Sequence, residues 1–277
     1  MSLPIKKVYI DSRFKTKDSQ SNSNFKFELK QSIQLPENCV CYIDDIIIPH
    51  TWYTIENFNN KLYIREYDTT GSPATTIDKT LIIPSQNYSG SLLAAAIKTS
   101  LDLHFTTSVY TVSYLERKGT ITISTTTTNK TFIILSDDQL KDQLGNTWLG
   151  TVYDTANPQD MNDVLRHTFM TASASYESGF IDLKNIHNIY ISSPNVGSFS
   201  TLGPRGENNI IKKVPVSSDY GYSIFDSVVM PHDYIDVSKQ LLSILEFSLK
   251  SARGDVIPLH GSHVSFSLIF SMVKQDI

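Results

Sequence analysis

The alternation of apolar and polar positions is clearest near the start of the chain. Phe25, Phe27 and Leu29 alternate with Lys26, Glu28 and Lys30, which predicts a strand with one face in and one face out. Residues 6–10 (KKVYI) predict a short strand before it, set apart by a Ser-, Lys-, Asp- and Asn-rich loop over 11–24. The stretch that organises the rest is 38–57, NCVCYIDDIIIPHTWYTIEN. Cys39, Cys41, Ile43 and Ile47 would occupy one face of it and Val40, Tyr42, Ile46 and Ile48 the other. A strand apolar on both faces is expected at the centre of a sheet and buried on both sides. Asp44 and Asp45 interrupt it. Adjacent residues point to opposite faces, so the pair predicts a bulge or a hydrogen-bonded turn partner rather than two carboxylates acting on one substrate. Pro49 cannot donate to a ladder, and pairing should lapse there.

From Asn57 the texture changes. Strands are predicted over 62–66 and 80–84, then a helix capped by Ser89 or Ser91 with Leu92, Leu93, Ala96, Ile97 and Leu101 on its apolar face. A hairpin over 110–115 and 120–124 turns at Gly119, and a strand follows over 131–135. Ser136 should cap a short helix with Asp137 and Asp138 in its first turn and Gly145 past its end. Residues 58–150 thus read as an α+β module inserted between a first sandwich part, 1–57, and a second, 151–277. In the second part a short helix is predicted over 158–166, and strands over 168–175, 185–192, 210–215, 227–230 and 241–250. The long Pro/Gly/Ser loop 193–209 lies between two of them. Residues 241–250 also fit a helical face, but the Gly turn after them and the alternation of Val264, Phe266, Leu268 and Phe270 predict a closing strand–turn–strand hairpin. The fold class is all-β, a sandwich built from both chain ends.

Composition agrees: 14 Tyr and 13 Phe accompany many Thr and Ile, a mixture suited to pleated sheets. The net charge of −4 leaves no electrostatic footprint for nucleic acid, and Lys212 and Lys213 are expected to be solvated like the other scattered lysines. No apolar run approaches the ~18 residues of a membrane span, and the start lacks a secretory h-region. The two cysteines, Cys39 and Cys41, share a strand face without a second pair, which predicts buried free thiols and a reducing compartment.

Candidate chemistry is sparse. His232, His260 and His263 could contribute to a cupin-like metal site, but a shell needs three or more convergent ligands. No nucleophile elbow, zincin, P-loop or dinucleotide motif occurs, so neither enzyme activity nor a cofactor is expected. Arg253-Gly254-Asp255 is the cell-adhesion tripeptide. It would bind an integrin-type host receptor from an exposed tip, or serve as a plain turn in which Gly supplies a positive φ. Tyr220, Tyr222 and Phe225 could form the aromatic platform of a carbohydrate- or receptor-binding sandwich, or pack in a core or interface.

One pattern is more specific. Asp11-Ser12-Arg13 closes the first strand, and Ser23-Asn24-Phe25 follows the polar loop. The organising strand ends in Ile48-Pro49-His50-Thr51-Trp52-Tyr53, and the chain closes with Ile257-Pro258-Leu259-His260-Gly261 and an alternating strand. This resembles the penton (minor capsid) proteins of virophages, Polinton-like elements and adenovirus-like DNA viruses, over about 1–60 and 240–277. The resemblance implies a jelly roll that forms homopentamers at capsid vertices and is not an enzyme. Its implied partners are copies of itself, a double-jelly-roll major capsid protein and a host receptor. The implied location is the virion, after intracellular assembly.

Overall fold

The computed structural model describes residues 5–136, 139–140, 147–149, 151–152, 159–184, 186–196, 201–230 and 233–272. The chain divides into two compact units, Met1–Trp52 with Ile186–Ile277, and Tyr53–Asn185. The first unit opens with β1 (Lys6–Asp11), β2 (Asn24–Gln34) and β3 (Cys39–Pro49). The second contains β4 (Lys61–Asp68), β5 (Thr75–Ile82), α1 (Gly90–His104), β6 (Tyr110–Leu115), β7 (Thr120–Thr125), β8 (Lys130–Ile134), β9 (Thr147–Trp148), β10 (Thr151–Val152), α2 (Asn162–Leu165) and β11 (Ser175–Glu177). The chain then returns to the first unit with β12 (Asn188–Ser192), β13 (Ile210–Pro215), β14 (Ser223–Asp226), β15 (Ile235–Asp236), β16 (Leu241–Lys250) and β17 (Ser265–Met272).

The first unit is a jelly roll. One antiparallel sheet runs β1-β17-β3-β14, with short β15 also on β3; the other runs β13-β12-β16-β2. Apart from β12–β13 and β14–β15, successive strands of this unit lie in opposite sheets, so most neighbours in space come from distant parts of the chain. This is the double Greek-key wiring of a jelly roll. The first strand pairs with the last, Val8 opposite Leu268 and Ile10 opposite Phe266. Between the sheets lie Ile10, Phe25, Cys39, Cys41, Ile43, Ile46, Ile48, Leu245, Phe247, Leu268 and Phe270, all buried. Phe247 joins the layers, tilted on Phe25 at 5.7 Å and edge-on to Phe266 at 4.9 Å.

Several expectations are corrected. The terminal strands do not close as a hairpin: β16 pairs with β2 and β12, whereas β17 pairs with β1 and β3. The turn after β16 therefore carries the chain from one sheet to the other. β3 is central, but only one face is buried. Between Ile43 and Asp45 the register with β17 slips by one residue, so the inward set changes from Cys39, Cys41 and Ile43 to Ile46 and Ile48. Ile47 is thereby turned outward, and Asp44 faces Lys7 at 3.1 Å. Lys212 is not solvated: its side chain is buried, and Nζ donates to the carbonyls of Val228 (2.8 Å) and, at the bulge, Ile43 (3.3 Å), with Asp226 at 3.7 Å. A buried ammonium persists only where such acceptors surround it. No strand forms over 227–230; the pairing there belongs to Ser223–Asp226. Both cysteines are buried and free, and burial pushes the Cys39 and Cys41 thiols up.

The second unit has two three-stranded sheets, β5-β4-β8 and β11-β7-β6, and the two-stranded β9–β10 pair. Its core gathers Leu62, Ile64 and Leu81 from one sheet, Tyr110, Ile121 and Ile123 from the other, and Leu93, Ile97 and Leu101 of α1. Ser89 caps α1, its Oγ accepting from Leu92 N at 3.3 Å. Leu92, expected on the apolar face, is exposed; Ala94 takes its place. The boundary expected at 150 lies instead at 185, because β11 pairs with β7 and Met161, Val164 and Leu165 pack into this core. The strand expected over 168–175 reduces to β11 and one bridge, Phe132 to Ser173. The helix expected over 158–166 shortens to Asn162–Leu165. Ser136 and Gln139 bond reciprocally, each backbone N–H to the other's side-chain oxygen. Asp137, Asp138 and Gly145, predicted for the short helix there, and His232 lie outside the described residues. Glu66 is buried but satisfied: Tyr110 donates to it at 2.8 Å, and Lys130 lies 3.2 Å from it and 3.0 Å from Asp68.

Candidate assembly interface

Register places the quoted motifs at one end of the jelly roll. Asp11 lies opposite Ser265, Ser265 opposite Ile47, and Ser223 opposite Pro49. The ends of β1 and β3 therefore meet the starts of β17 and β14.

There the opening and closing motifs clasp. Asp11 caps a single 3-10 turn, Ser12–Phe14, by accepting from Arg13 N at 2.9 Å. Its carboxylate also takes Arg13 Nε at 3.0 Å and Nη2 at 2.6 Å, and these guanidinium bonds hold the Asp11 carboxyl below its usual range. Ser12, fully buried, donates its N–H to Val264 O at 2.9 Å and accepts Val264 N on Oγ at 3.0 Å. Asn22 Nδ2 donates to the carbonyls of Gly261 (3.1 Å) and Ser262 (2.8 Å). Gly261 sits at φ +86°, where a side chain would be strained. Thr51 Oγ1 donates to Leu259 O at 2.8 Å, tying the end of the organising strand to the same loop as Pro258 and Gly261. Trp52 is buried and stacks on His50 at 4.1 Å, whose ring Nδ1 meets Ser218 O at 2.8 Å.

Asp11, Ser12, Arg13, Trp52 and Gly261 thus lie at the clasp, and Phe25 is in the core behind it. Tyr53 does not join them: it begins the second unit, where its N–H donates to Glu56 Oε1 at 2.8 Å. Asn22 was missed, and Thr51 and Val264, though inside the quoted motif and closing strand, carried no mark of the bonds they make here. Asn22 lies in a loop full of Ser and Asn, and nothing local marks it as the one that bridges to the far end of the chain.

Arg253, Gly254 and Asp255 form the crossing turn. Gly254 sits at φ +88°, and its N–H donates to Ser251 O at 3.0 Å. The Asp255 carboxylate accepts from Ser251 Oγ at 3.1 Å, and Arg205 Nη1 donates to Arg253 O. Arg205 comes from the 193–209 loop, which reaches back to this turn. Among the described residues no group of three His, Cys, Asp or Glu, at His260 and His263 or elsewhere, could hold a metal.

The outward face of the β1-β17-β3-β14 sheet carries exposed aromatic and aliphatic side chains beside the Lys7–Asp44 pair. Phe225, Ile47, Ser265 and Asp11 form one cross-strand row, and Tyr9, Ser267 and Asp45 another. Phe225 is 61% exposed and Tyr9 71%, while Tyr42 and Tyr234 pair at 5.0 Å. Single exposed hydrophobics are ordinary, but several on one sheet face mark a candidate contact surface. The outward positions of the opposite sheet include Lys26, Lys213, Glu246 and Lys250, together with Tyr190 and the exposed Ile244.

No family model matches the chain, and no curated protein does. Among solved structures it is similar to the mavirus penton protein, crystallised in selenomethionine-labelled form. The two share 10% identity at a TM-score of 0.49, over 97% of this chain and 100% of that one. Among the described residues no helix is long and apolar enough to cross a membrane.

Proposed function

We propose that the chain is a structural capsid protein, the penton or minor capsid subunit of a DNA virus, and that it forms homopentamers at five-fold vertices. The observation that carries this reading is the clasp. The residues on which the sequence resembles the penton family, Asp11-Ser12-Arg13 at one end and Pro258–Gly261 at the other, meet at one end of a jelly roll. Fold alone would not suffice, since jelly rolls serve lectins and cupins as well as capsids.

A ring requires head-to-tail contacts, in which two different patches of each subunit meet. The outward face with Tyr9, Ile47 and Phe225 supplies one such patch. The same aromatics would serve a glycan-binding sandwich, but the row from Phe225 through Ile47 lies flat along a sheet, which suits a protein neighbour. The role is structural rather than enzymatic, its partners are identical subunits and a double-jelly-roll major capsid protein, and its location is the virion. Imaging of virions labelled with an antibody to this chain tests the reading. Label at the five-fold vertices is expected; label absent from particles, or spread over the capsid faces, would overturn it.

A further inference from the structure

We propose that the outer edge of β5, with the groove between β5 and α1, docks an extended apolar peptide as an added strand. In an antiparallel pair each residue turns its N–H and C=O to the same side. Ile83 N donates to Asn60 O at 2.9 Å, and the register places Leu62 opposite Leu81 and Ile64 opposite Lys79. Residues 77, 79 and 81 therefore bond to β4, and Thr76, Asp78, Thr80 and Ile82 turn their backbone groups away from it. β4 keeps the matching alternation, since Leu135 N donates to Tyr63 O at 2.9 Å on its other side. β5 is an edge of its sheet, and among the described residues no backbone hydrogen bond reaches these outward groups.

Proteins usually guard such an edge with proline, a bulge or charge. Thr75–Ile82 contains no proline, and its register with β4 is unbroken. Asp78 is committed to Arg65 through two 2.7 Å bonds, and Lys79, the strand's other charge, has its backbone in the β4 ladder and does not line the groove. Beside the edge lies a groove of about 480 Å³ walled by Ile82, Ala96 and Leu103 and dotted with Thr99, Ser100 and His104. Ile82 is 59% exposed and Leu103 74%, so large apolar groups stand uncovered on both walls. No carboxylate, ammonium or guanidinium lines the groove. A strand added at the usual ~4.8 Å spacing would find main-chain partners on β5 and place alternate side chains against α1. The lack of charge selects an uncharged, apolar-alternating peptide.

The test uses the full chain and a fluorescein-labelled, C-terminally amidated peptide, Ser-Thr-Val-Thr-Val-Thr-Val-Ser. Saturable anisotropy binding is expected, with amide exchange at Thr80 and Ile82 slowed about tenfold or more by peptide while Leu81, already bonded to β4, is unchanged. Ile82→Pro removes an outward N–H without touching the β4 ladder. Leu103→Asp alters the other wall at an exposed helix position. Each should weaken binding about tenfold, as should N-methylation of alternate peptide residues. No saturable binding, or equal binding of the methylated peptide, would overturn the proposal. So would exchange at Thr80 and Ile82 that is already slow without peptide and quickens on dilution, since a second copy would then occupy the edge.

Discussion

Ser12 and Val264 bond to each other twice: the Ser12 N–H donates to Val264 O at 2.9 Å, and Val264 N–H donates to Ser12 Oγ at 3.0 Å. They lie 252 positions apart and join the two ends of the chain at one buried point. Ser12→Ala leaves the Val264 N–H buried without an acceptor. Such a group costs about 1–3 kcal/mol, and urea unfolding of the variant should show a loss in that range.

Trp52 is the last residue of the jelly-roll unit, buried and stacked on His50. Trp52→Ala should cost about 3–5 kcal/mol, the usual range for truncating a buried large aromatic. Near-ultraviolet circular dichroism and thermal unfolding check this. A variant as stable as the parent would mean that Trp52 carries no packing at that end.

His167 is buried in the second unit, its Nε2 donating to Ile134 O at 2.9 Å and its ring edge-on to Tyr176 at 5.3 Å. Burial pushes its pKa below the ordinary 6.5. The folded state then resists protonation that the unfolded chain accepts. The contribution is therefore fully present above pH 6.5 and is lost as pH falls from there through the lower folded pKa. Thermal unfolding at pH 7.5 and 5.5 should show a larger drop for the parent than for His167→Gln; equal drops would contradict the assignment.

Each unit carries its own buried core: Phe25, Phe247 and Phe270 in one, Tyr110, Phe132 and Ile97 in the other. Replacing 53–185 by a short Gly linker should leave a folded β-sandwich by circular dichroism. The cut must fall at 185, since ending it at 150 would strand β11 without β7 and Val164 without the core it packs into.

What the sequence made legible was local. The alternation at Phe25–Leu29 marked β2, Ser89 marked the start of α1, and the Asp44–Asp45 pair marked the bulge in β3. Pairing was not legible, because it is set by contacts between distant residues. The pattern of residues 241–250 and 264–270 fits a hairpin as well as two strands in facing sheets. What decides is that β2 lies free to pair with β16, and β1 and β3 with β17. Ile47 was placed on the face of Cys39, Cys41 and Ile43 because its alternation was counted through the bulge, which reverses the faces beyond it. Of the candidate interface, the motif residues were visible, Thr51 among them, whereas Asn22 acts through the backbone carbonyls of Gly261 and Ser262, which leave no mark on side-chain pattern. Lys212 looked like any surface lysine, since the carbonyls of Ile43 and Val228 that satisfy it belong to other strands.

The central claim is that copies of this chain close into a ring of five through the face bearing Tyr9, Ile47 and Phe225. Native mass spectrometry of the purified full chain tests it most directly. The account predicts a species of five times the 31.1 kDa subunit that Phe225→Asp converts to monomer without loss of β-sheet signal. A chain that stays monomeric at every concentration, or a pentamer indifferent to Phe225→Asp, Ile47→Asp and Tyr9→Asp alike, would contradict it.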